Sequence, residues 1–496
     1  MKRKNDEWNS QEYRRTSNRE STKKRKRVST GKPYKIVAYL CMCLFVAMIG
    51  YMVYFQVEQS KKLLSSPYNQ REIRKENNVT RGSVLAADGT VLAETQVAED
   101  GTEIRVYPYG SLFSHVVGYS DYGGSGLEAV QSYRLLESHA DLMEQMQNEI
   151  EGVKNKGDNV VTTLDVALQQ AAYEGLGGHY GAAVVMDALT GEVLASVSNP
   201  GFEPNRVAED WEELNSDESG SPFLNRALQG LYPPGSTFKI ITALAYLREH
   251  GGFEDFSFEC TGTYTQGGFT IHCVDGSVHG AEDFEAAFAN SCNCAFSYMI
   301  TQLMDQSSLK EAAESLLFNS DPDLLLPNAK SRYSFKKGDG VELAMQTAIG
   351  QGDTLVTPVQ MAMVAQAVYA GGEMMKPGFV RGVINYEGDT VKAEKVQSLG
   401  TVMSHQEAAA LTELMRGVVN HGTAVGLSDL SYQVAGKTGT AQYGNLEEDT
   451  AHSWFVGFSE TGDRDIVVAV IVEDGGNGVY PAVPVAKHIF QSRFGN

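Results

Sequence analysis

Cysteine is scarce in this sequence, which contains 6 cysteines among 496 residues. Two of them, Cys41 and Cys43, lie in a long apolar run and are interpreted as small apolar side chains. The other four are Cys260, Cys273, Cys292 and Cys294. So few cysteines exclude a small domain that depends on a disulfide framework. A single disulfide between Cys260 and Cys273 stays open, and Cys292 is interpreted as a packing residue.

The cysteines and histidines also lack the spacing that is typical of a zinc site. The pair Cys292 and Cys294 has no second cysteine pair at the spacing found in zinc fingers. His272 and His279 fit such a site only loosely. The spacing therefore disfavours a zinc site.

Basic residues are in the minority, since 41 lysines and arginines stand against 62 aspartates and glutamates, a formal net charge of −21. This balance disfavours nucleic acid as a partner, because phosphate binding requires lysine and arginine. The charge is unevenly distributed, however. Residues 1–35 contain 13 basic and 4 acidic residues, a local charge of +9, so the rest of the chain carries −30.

Charge is absent from residues 36–57, a run of 22 mostly apolar residues. As a helix this run would be about 33 Å long, which is sufficient to cross a bilayer core. It is longer than the apolar region of a signal peptide, and no A-x-A cleavage motif follows it. Because positive charge stays cytoplasmic, we predict a disordered cytoplasmic tail at 1–35, one membrane helix at 36–57 and an extracytoplasmic remainder.

Beyond the predicted membrane helix, the pattern changes near residue 156. Residues 58–155 begin with a polar stalk, include a hairpin pattern around Asp88-Gly89 and end in a predicted helix over 134–155. They form a small α+β module, and residues 156–496 form a larger domain.

The larger domain has strand patterns near both ends and long helical patterns between them. Strands are predicted at 160–164, 182–186, 192–198, 433–442, 453–458 and 465–473, and helices at 166–176, 237–250, 283–304, 357–370 and 486–493. This order predicts a mostly antiparallel sheet covered by helices.

Ser236 and Lys239 form an S-x-x-K motif, a pattern that also occurs at Ser307 and Lys310. Context distinguishes the first pair, because Ser236 follows Pro-Pro-Gly and opens an apolar helical run. Three residues apart on a helix, the hydroxyl and the amine lie on the same face. Burial would lower the pKa of Lys239 and make it a usable base. The alternative, which the motif alone favours, is a helix-capping serine beside a solvated lysine.

Two further motifs are weak when taken singly. Ser291 and Asn293 form S-x-N in an apolar helical stretch, where polar side chains need partners. A helix junction capped by one of them is the alternative. Lys437 begins K-T-G-T between strand-like runs, where Gly439 allows close approach of a ligand backbone. A bulged strand is the alternative there.

The three motifs together are informative, because S-x-x-K, S-x-N and K-T-G occur in this order, 55 and 146 residues apart. In this respect the sequence resembles the class B penicillin-binding proteins, membrane-anchored peptidoglycan transpeptidases of bacteria. Further blocks carry the resemblance from residue 36 onward: Arg81-Gly82, Gly126-Leu127-Glu128, Asn225-Arg226-Ala227, Gly350-Gln351-Gly352 and Gly422-Thr423-Ala424.

The resemblance implies a penicillin-binding transpeptidase fold, which is an α/β (α+β) arrangement with a five-stranded antiparallel sheet covered by helices. Residues 58–155 would be its N-terminal pedestal module. It also implies D,D-transpeptidase activity, in which Ser236 attacks the penultimate D-Ala carbonyl of a stem peptide. Terminal D-Ala leaves, and an amine from a neighbouring stem peptide resolves the acyl-enzyme. β-Lactams are expected to acylate the same serine.

The same resemblance gives roles to the other motif residues. Lys239 is the expected base for acylation, Ser291 a proton relay and Asn293 a substrate contact. Lys437 and Thr438 are expected near the substrate carboxylate.

Backbone groups complete the expected site. The N–H groups of Ser236 and Thr440 would form an oxyanion hole, and Gly439 would lie against the substrate. No metal and no other cofactor are expected, and a membrane glycan polymerase is the expected partner.

Two other functions remain as alternatives. One is a hydrolase with the same site, either a D,D-carboxypeptidase or a β-lactamase, but no water-activating glutamate motif is evident. The other is a non-catalytic penicillin-binding sensor or scaffold. A scaffold would not need Ser236 and Lys239, and residues 1–35 are too short for a signalling domain. The transpeptidase is therefore the leading hypothesis.

Overall fold

The computed structural model describes residues 31–55, 78–442, 451–476 and 481–495. The chain divides into two units, residues 1–63 and residues 64–496. In the first unit, Gly31–Tyr54 form one helix, of which Tyr34–Tyr54 are long and apolar enough to cross a membrane. This helix coincides with most of the predicted span. Of the disordered tail predicted at 1–35, residues 31–35 instead begin this helix. Residues 1–30, the last two residues of the predicted span and nearly all of the stalk lie outside the described residues.

Five antiparallel strands form the central sheet of the second unit, which confirms the predicted sheet. In chain order they are β1 Gly181–Asp187, β2 Val193–Asn199, β3 Gln433–Gln442, β4 Ala451–Glu460 and β5 Ile466–Val472. Their spatial order is β3-β4-β5-β1-β2, so the two ends of the domain meet where β5 pairs with β1. The strand β3, which contains K-T-G, lies at one edge of this sheet.

The sequence of β5, IVVAVIV, explains its central position. β-Branched residues pack well on a pleated surface, and every residue of this strand is buried. Because successive side chains point to opposite faces, both faces of the sheet must be covered. The helices Pro358–Tyr369 and Ala482–Phe494 both pack against β5.

Capping residues set where the covering helices begin. Asp165 accepts hydrogen bonds from the backbone N–H groups of Ala167 and Leu168 at the start of the helix Val166–Leu176. At the next covering helix, Thr357 accepts from the N–H of Gln360 and precedes a proline, which needs no N–H partner there.

A second sheet joins the N-terminal module to the larger domain. Its six strands lie in the order Thr390–Ala393, Val380–Ile384, Asn159–Thr162, Val84–Leu85, Val91–Val97 and Glu103–Val106. The predicted hairpin around Asp88-Gly89 forms two of these strands. Strands from both sides of residue 156 thus share one sheet, and their side chains contribute to one continuous core.

The remaining elements are short strands and helices around these sheets. The strands are Val79–Thr80, Asn155–Lys156, Phe258–Cys260, Thr263–Gln266, Phe269–His272, Gly280–Glu282, Glu373–Met375 and Ser398–Thr401. The helices are Gly126–Val130, Ser132–Leu135, Leu142–Glu151, Val207–Ser216, Lys239–His250, Phe284–Ala289, Asn293–Tyr298, Gln306–Ser315, Val341–Ala348 and His405–Asn420.

Two predicted helices are wrong in extent. The helix expected over 134–155 covers only Leu142–Glu151, because Asp141 caps its start and Gly152 ends it in the left-handed conformation. The helix expected over 283–304 is interrupted at Ser291, whose φ is +57°. A left-handed residue cannot continue a right-handed helix, and the interruption places Ser291 in a turn between two short helices.

A buried carboxylate holds the N-terminal module together. Glu128 is fully buried between two arginines, with its oxygens 2.7 Å from Nε of Arg81 and 2.6 Å from Nη2 of Arg105. Burial favours the neutral acid, but Arg105 and Arg81 hold the pKa of Glu128 below its ordinary value. Removal of the carboxylate would leave two cations without their shared partner.

We predict that Glu128→Gln lowers the free energy of unfolding by about 3–5 kcal/mol, the range for breaking a buried ion pair. Denaturant unfolding of the full chain in detergent, followed by circular dichroism, measures this change. The exposed Glu149 provides the matched control Glu149→Gln, which should leave stability within about 0.5 kcal/mol. Equal stability of the two variants would contradict a stabilising role for this cluster.

Candidate active site

Ser236 lies in the 3₁₀ turn Gly235–Phe238, directly before the helix Lys239–His250. The turn is pressed against the edge strand β3. A Cβ atom on Gly235 would lie only 2.5 Å from the carbonyl oxygen of Thr440, and Gly235 has a φ of +52°. The N–H of Gly235 donates to the carbonyl oxygen of Gly350 over 2.9 Å. These contacts fix the position of Ser236 relative to β3.

The amine of Lys239 lies at the centre of the site and is fully buried. Its Nζ is 3.1 Å from Oγ of Ser236, 2.6 Å from the carbonyl oxygen of Ser291 and 2.8 Å from Oδ1 of Asn293. It is also 3.2 Å from Oγ of Ser291. Ser236 and Lys239 are therefore close together, as predicted, and Ser291 and Asn293 of the S-x-N motif contact the same amine.

Burial lowers the pKa of Lys239 to about 8, although the nearby cysteines partly oppose this shift. A neutral amine has two N–H groups and one lone pair. Two of its neighbours, the carbonyl oxygen of Ser291 and Oδ1 of Asn293, can only accept hydrogen bonds. When both N–H groups donate to these oxygens, the lone pair is left for the hydroxyl of Ser236. The surroundings thus orient Lys239 to accept a proton from that serine.

Ser291 is positioned by the turn that interrupts the predicted helix. Its hydroxyl lies between the two buried amines, 3.2 Å from Nζ of Lys239 and 2.9 Å from Nζ of Lys437. Asn293 is fixed from its other end, because Nδ2 donates to the carbonyl oxygen of His272 over 3.1 Å. A hydroxyl between two amines can accept a proton from one and donate to the other.

Lys437 is the second buried cation of the site. Burial and the nearby charge of Lys239 lower its pKa well below the ordinary value for lysine. Its Nζ donates to the carbonyl oxygen of Thr438 over 3.1 Å in addition to Ser291. Lys239 and Lys437 both contact the hydroxyl of Ser291, and two positive charges at this distance repel each other. The two amines together therefore favour a total charge of less than two.

The rest of K-T-G-T lines the same cleft from the edge strand. A Cβ atom on Gly439 would lie 3.0 Å from the carbonyl oxygen of Pro234, so the glycine allows the strand to approach the nucleophile turn. The hydroxyl of Thr438 is 2.5 Å from that of Thr423. The hydroxyl of Thr440 is buried and has no hydrogen-bond partner within the described residues.

All eight residues singled out from the sequence thus lie in one region, where a cleft of about 330 Å³ opens above Ser236. The cleft is also lined by side chains to which sequence reasoning gave no role: Asp275, His279, Asn290, His421 and Thr423. Thr423 was present in the block Gly422-Thr423-Ala424, but its place ten residues before the predicted strand 433–442 gave no direct signal of contact with Thr438. His279 lies in the block His279-Gly280 and had been considered only as a loosely fitting metal ligand, whereas Asp275, Asn290 and His421 follow no motif.

Two protein-family models match the chain. The penicillin binding protein transpeptidase domain matches residues 181–491, which is more than half of the chain. The penicillin binding protein A dimerisation domain matches residues 81–160. A peptidoglycan D,D-transpeptidase, PbpA of Mycolicibacterium smegmatis, is 31% identical over 468 residues that cover 89% of this chain and 93% of the relative.

The chain belongs to the class B penicillin-binding proteins.

Solved structures of other penicillin-binding proteins share the fold. The D,D-transpeptidase domain of a peptidoglycan glycosyltransferase from Eggerthella lenta has a TM-score of 0.76 and 31% identity, covering 84% of this chain and 98% of that one. Penicillin-binding protein A of Mycobacterium tuberculosis, solved as an imipenem acyl-enzyme complex, has a TM-score of 0.76 and 28% identity, covering 84% and 99%. The expected family and fold are both confirmed.

We predict that Gly235→Ala in this penicillin-binding protein slows covalent labelling by a fluorescent penicillin at least tenfold. The new Cβ would overlap the carbonyl oxygen of Thr440 and displace Ser236, and small displacements of a nucleophile are costly. Time courses of labelling on purified full-length protein measure the effect.

Gly251 provides the matched control, because its φ is +79° and no atom lies within 4 Å of a Cβ built on it. Gly251→Ala therefore carries the same backbone strain, about 1 kcal/mol, without the overlap. It should label at the wild-type rate. Similar slowing in both variants would mean that strain, and not contact with the strand, determines the rate.

Proposed function

We propose that this penicillin-binding protein is a peptidoglycan D,D-transpeptidase that works through a Ser236 acyl-enzyme. The observation that carries the proposal is the buried amine of Lys239, 3.1 Å from the hydroxyl of Ser236 and held by two carbonyl oxygens. The relatives named peptidoglycan D,D-transpeptidases and the related acyl-enzyme structure support the same reaction.

In the first half of the reaction, Oγ of Ser236 attacks the carbonyl carbon of the penultimate D-Ala. Its proton passes to Nζ of Lys239, and the carbonyl becomes a tetrahedral oxyanion. We assign the oxyanion hole to the backbone N–H groups of Ser236 and Thr440. The bond to terminal D-Ala then breaks, and the leaving nitrogen takes a proton from the hydroxyl of Ser291. The neighbouring amines replace that proton.

In the second half, an amine of a neighbouring stem peptide attacks the ester carbonyl. The attacking nitrogen gives a proton to Oγ of Ser291, which passes its own proton to Nζ of Lys239. Lys239 then protonates Oγ of Ser236 as the ester bond breaks, and a new amide bond joins the two peptides. The same groups serve both directions, because each step transfers one proton along the path from Ser236 through Lys239 to Ser291.

The edge strand provides the surface for the donor peptide. Because β3 lies at the edge of the central sheet, its outer side can pair with an extended peptide. We assign the terminal carboxylate to Lys437 and to the hydroxyls of Thr438 and Thr440. Asn293 would contact the peptide backbone, and Gly439 allows it to come close.

The apolar helix near the N-terminus supports a membrane location for the enzyme. We place residues 1–35 in the cytoplasm, a membrane anchor at 36–57, a pedestal at 58–155 and the transpeptidase domain at 156–496 outside the membrane. The +9 charge of the first 35 residues supports this orientation. A membrane glycan polymerase that supplies new strands is the proposed partner, and the anchor and pedestal are the surfaces available to it.

We predict that Ser236→Ala abolishes covalent labelling by a fluorescent penicillin, because it removes the hydroxyl that lines the cleft beside the Lys239 amine and forms the acyl bond in the proposed reaction. The matched control is Ser307→Ala, since Ser307 and Lys310 repeat the S-x-x-K spacing on the helix Gln306–Ser315 outside the site. It should label normally. Undiminished labelling of Ser236→Ala would contradict the proposed nucleophile.

Product analysis separates the transpeptidase from a hydrolase. Wild-type protein is incubated with peptidoglycan precursor strands and an amine acceptor, and the products are analysed by mass spectrometry. We expect crosslinked peptides together with free D-Ala. Free D-Ala without any crosslinked product would identify a D,D-carboxypeptidase instead.

We predict that the acylation rate rises roughly tenfold between pH 7 and pH 9. The base form of Lys239 is the neutral amine, and a pKa of about 8 makes it the minor form at pH 7 and the major form at pH 9. Lys239→Arg should be slow at both pH values, since a guanidinium cannot lose its proton in this range. A flat or falling wild-type profile, with the fold intact by circular dichroism, would exclude Lys239 as the base.

A further inference from the structure

One block that carried the family resemblance, Gly350-Gln351-Gly352, has no role in the proposed reaction. It follows the helix Val341–Ala348 and lies against the turn that contains Ser236. The carbonyl oxygen of Gly350 accepts a hydrogen bond from the N–H of Gly235 over 2.9 Å. A Cβ atom on Gly350 would lie only 2.0 Å from the carbonyl oxygen of Gly235. The block is therefore packed directly against the residue that precedes Ser236.

The side chain of Gln351 reaches the other side of the site, the edge strand β3. Its Nε2 donates to the carbonyl oxygen of Gln442 over 3.2 Å, and its Oε1 accepts from the N–H of Gln442 over 3.2 Å. One amide side chain thus satisfies both backbone groups of the last residue in this strand. The pair of hydrogen bonds continues the pattern of a sheet at an edge where no further strand lies.

The pairing of β3 with β4 shows which backbone groups of β3 face outward. In an antiparallel ladder, the N–H and C=O groups of successive residues point alternately toward the partner strand and away from it. Those of Gln442 point away from β4, because they bind Gln351. By the same alternation, the backbone groups of Thr440 and Thr438 also face outward. Gln351 therefore binds the same edge of β3 that presents the N–H of Thr440 to the cleft.

We infer that Gln351 is a positioning residue for the oxyanion hole, an inference that rests on the proposed acyl-enzyme reaction. The two donors assigned to that hole are the N–H groups of Ser236 and Thr440. Gly350 holds the backbone next to Ser236, and Gln351 holds the backbone at Gln442, near Thr440. Two adjacent residues thus fix the separation of the two donors.

A fixed separation matters because an oxyanion hole stabilises charge only when its donors are in place before the charge develops. Thr440 lies close to the end of β3, and the ends of secondary-structure elements open most readily. On the inner side, β4 pairs with this part of the strand. On the outer side, the amide of Gln351 provides the corresponding support and keeps the N–H of Thr440 directed into the cleft.

The variant Gln351→Glu tests this role through its pH dependence. A carboxylate accepts from the N–H of Gln442 but repels its carbonyl oxygen, whereas a protonated carboxyl group can make both hydrogen bonds, as the amide does. Acylation by a fluorescent penicillin is followed on purified full-length protein in detergent. The dependence on penicillin concentration separates the rate constant of acylation from the dissociation constant of the initial complex.

At pH 8 we expect the acylation rate constant of Gln351→Glu to be about tenfold below that of the wild type, because one donor of the oxyanion hole is displaced. The dissociation constant should change less than about twofold, since the oxyanion is not yet present in the initial complex. As the pH falls to 5.5, protonation of the new carboxyl group should raise the ratio of variant to wild-type rate at least threefold. Taking the ratio removes the pH dependence that both proteins owe to Lys239.

Two further variants serve as controls. Gln351→Met removes both hydrogen bonds but keeps a side chain of similar length, so its deficit of about tenfold should not depend on pH. Gln302→Glu changes an exposed glutamine outside the cleft and should acylate at the wild-type rate at both pH values. Circular dichroism and thermal unfolding establish that each variant keeps its fold.

Three results would overturn the inference. One is Gln351→Met that acylates at the wild-type rate, because the amide would then be dispensable. Another is a ratio for Gln351→Glu that stays constant or falls as the pH is lowered. The last is a loss confined to the dissociation constant, which would place Gln351 in binding alone. Wild-type protein that penicillin fails to label would instead contradict the proposed acyl-enzyme, so the two failures are distinguishable.

Discussion

The burial of one amine is the constraint on which the catalytic region depends. Lys239 is enclosed completely, and its hydrogen-bond partners in the described part of the chain are two carbonyl oxygens and two serine hydroxyls. None of them is a carboxylate. An ion pair would keep the amine charged, whereas carbonyl and hydroxyl partners satisfy it while leaving its pKa low. The acceptors around this amine are therefore uncharged, which is the condition that the base role proposed for Lys239 requires.

Close packing of backbone against backbone positions Ser236 beside that amine. Glycines stand where the 3₁₀ turn, the edge strand and a third segment touch, at Gly235, Gly439 and Gly350. A Cβ at any of these positions would lie 3.0 Å or less from a carbonyl oxygen. Since protein interiors tolerate little overlap, the three positions fix the distance between Ser236 and the strand that presents K-T-G-T. The large antiparallel sheet provides the rigid support for this arrangement.

The chain outside residues 1–35 is acidic, so any binding of an anionic peptide depends on where individual cations are placed. With a net charge of −30, residues 36–496 do not attract an anionic peptide through their overall electrostatic field. The contacts proposed for the peptide carboxylate, with Lys437 and with the hydroxyls of Thr438 and Thr440, would therefore have to act at short range.

The sequence by itself was sufficient to predict the strands with a strong residue pattern and the type of reaction. The strands β3 and β5 were predicted correctly, because their local residue pattern decides which side chains are buried. The three motifs, taken in their order, predicted one shared site. The sequence pattern misjudged the stretch 283–304, where an apolar helical pattern continues through Ser291 although the chain turns there. Only tertiary contacts with Lys239 and Lys437 make a left-handed serine favourable at that point. Tertiary structure alone also decided which distant side chains meet: Thr423 with Thr438, and Cys260 and Cys273 with Cys292. Their spacing along the chain carries no signal, because strands and turns far apart in sequence bring them together.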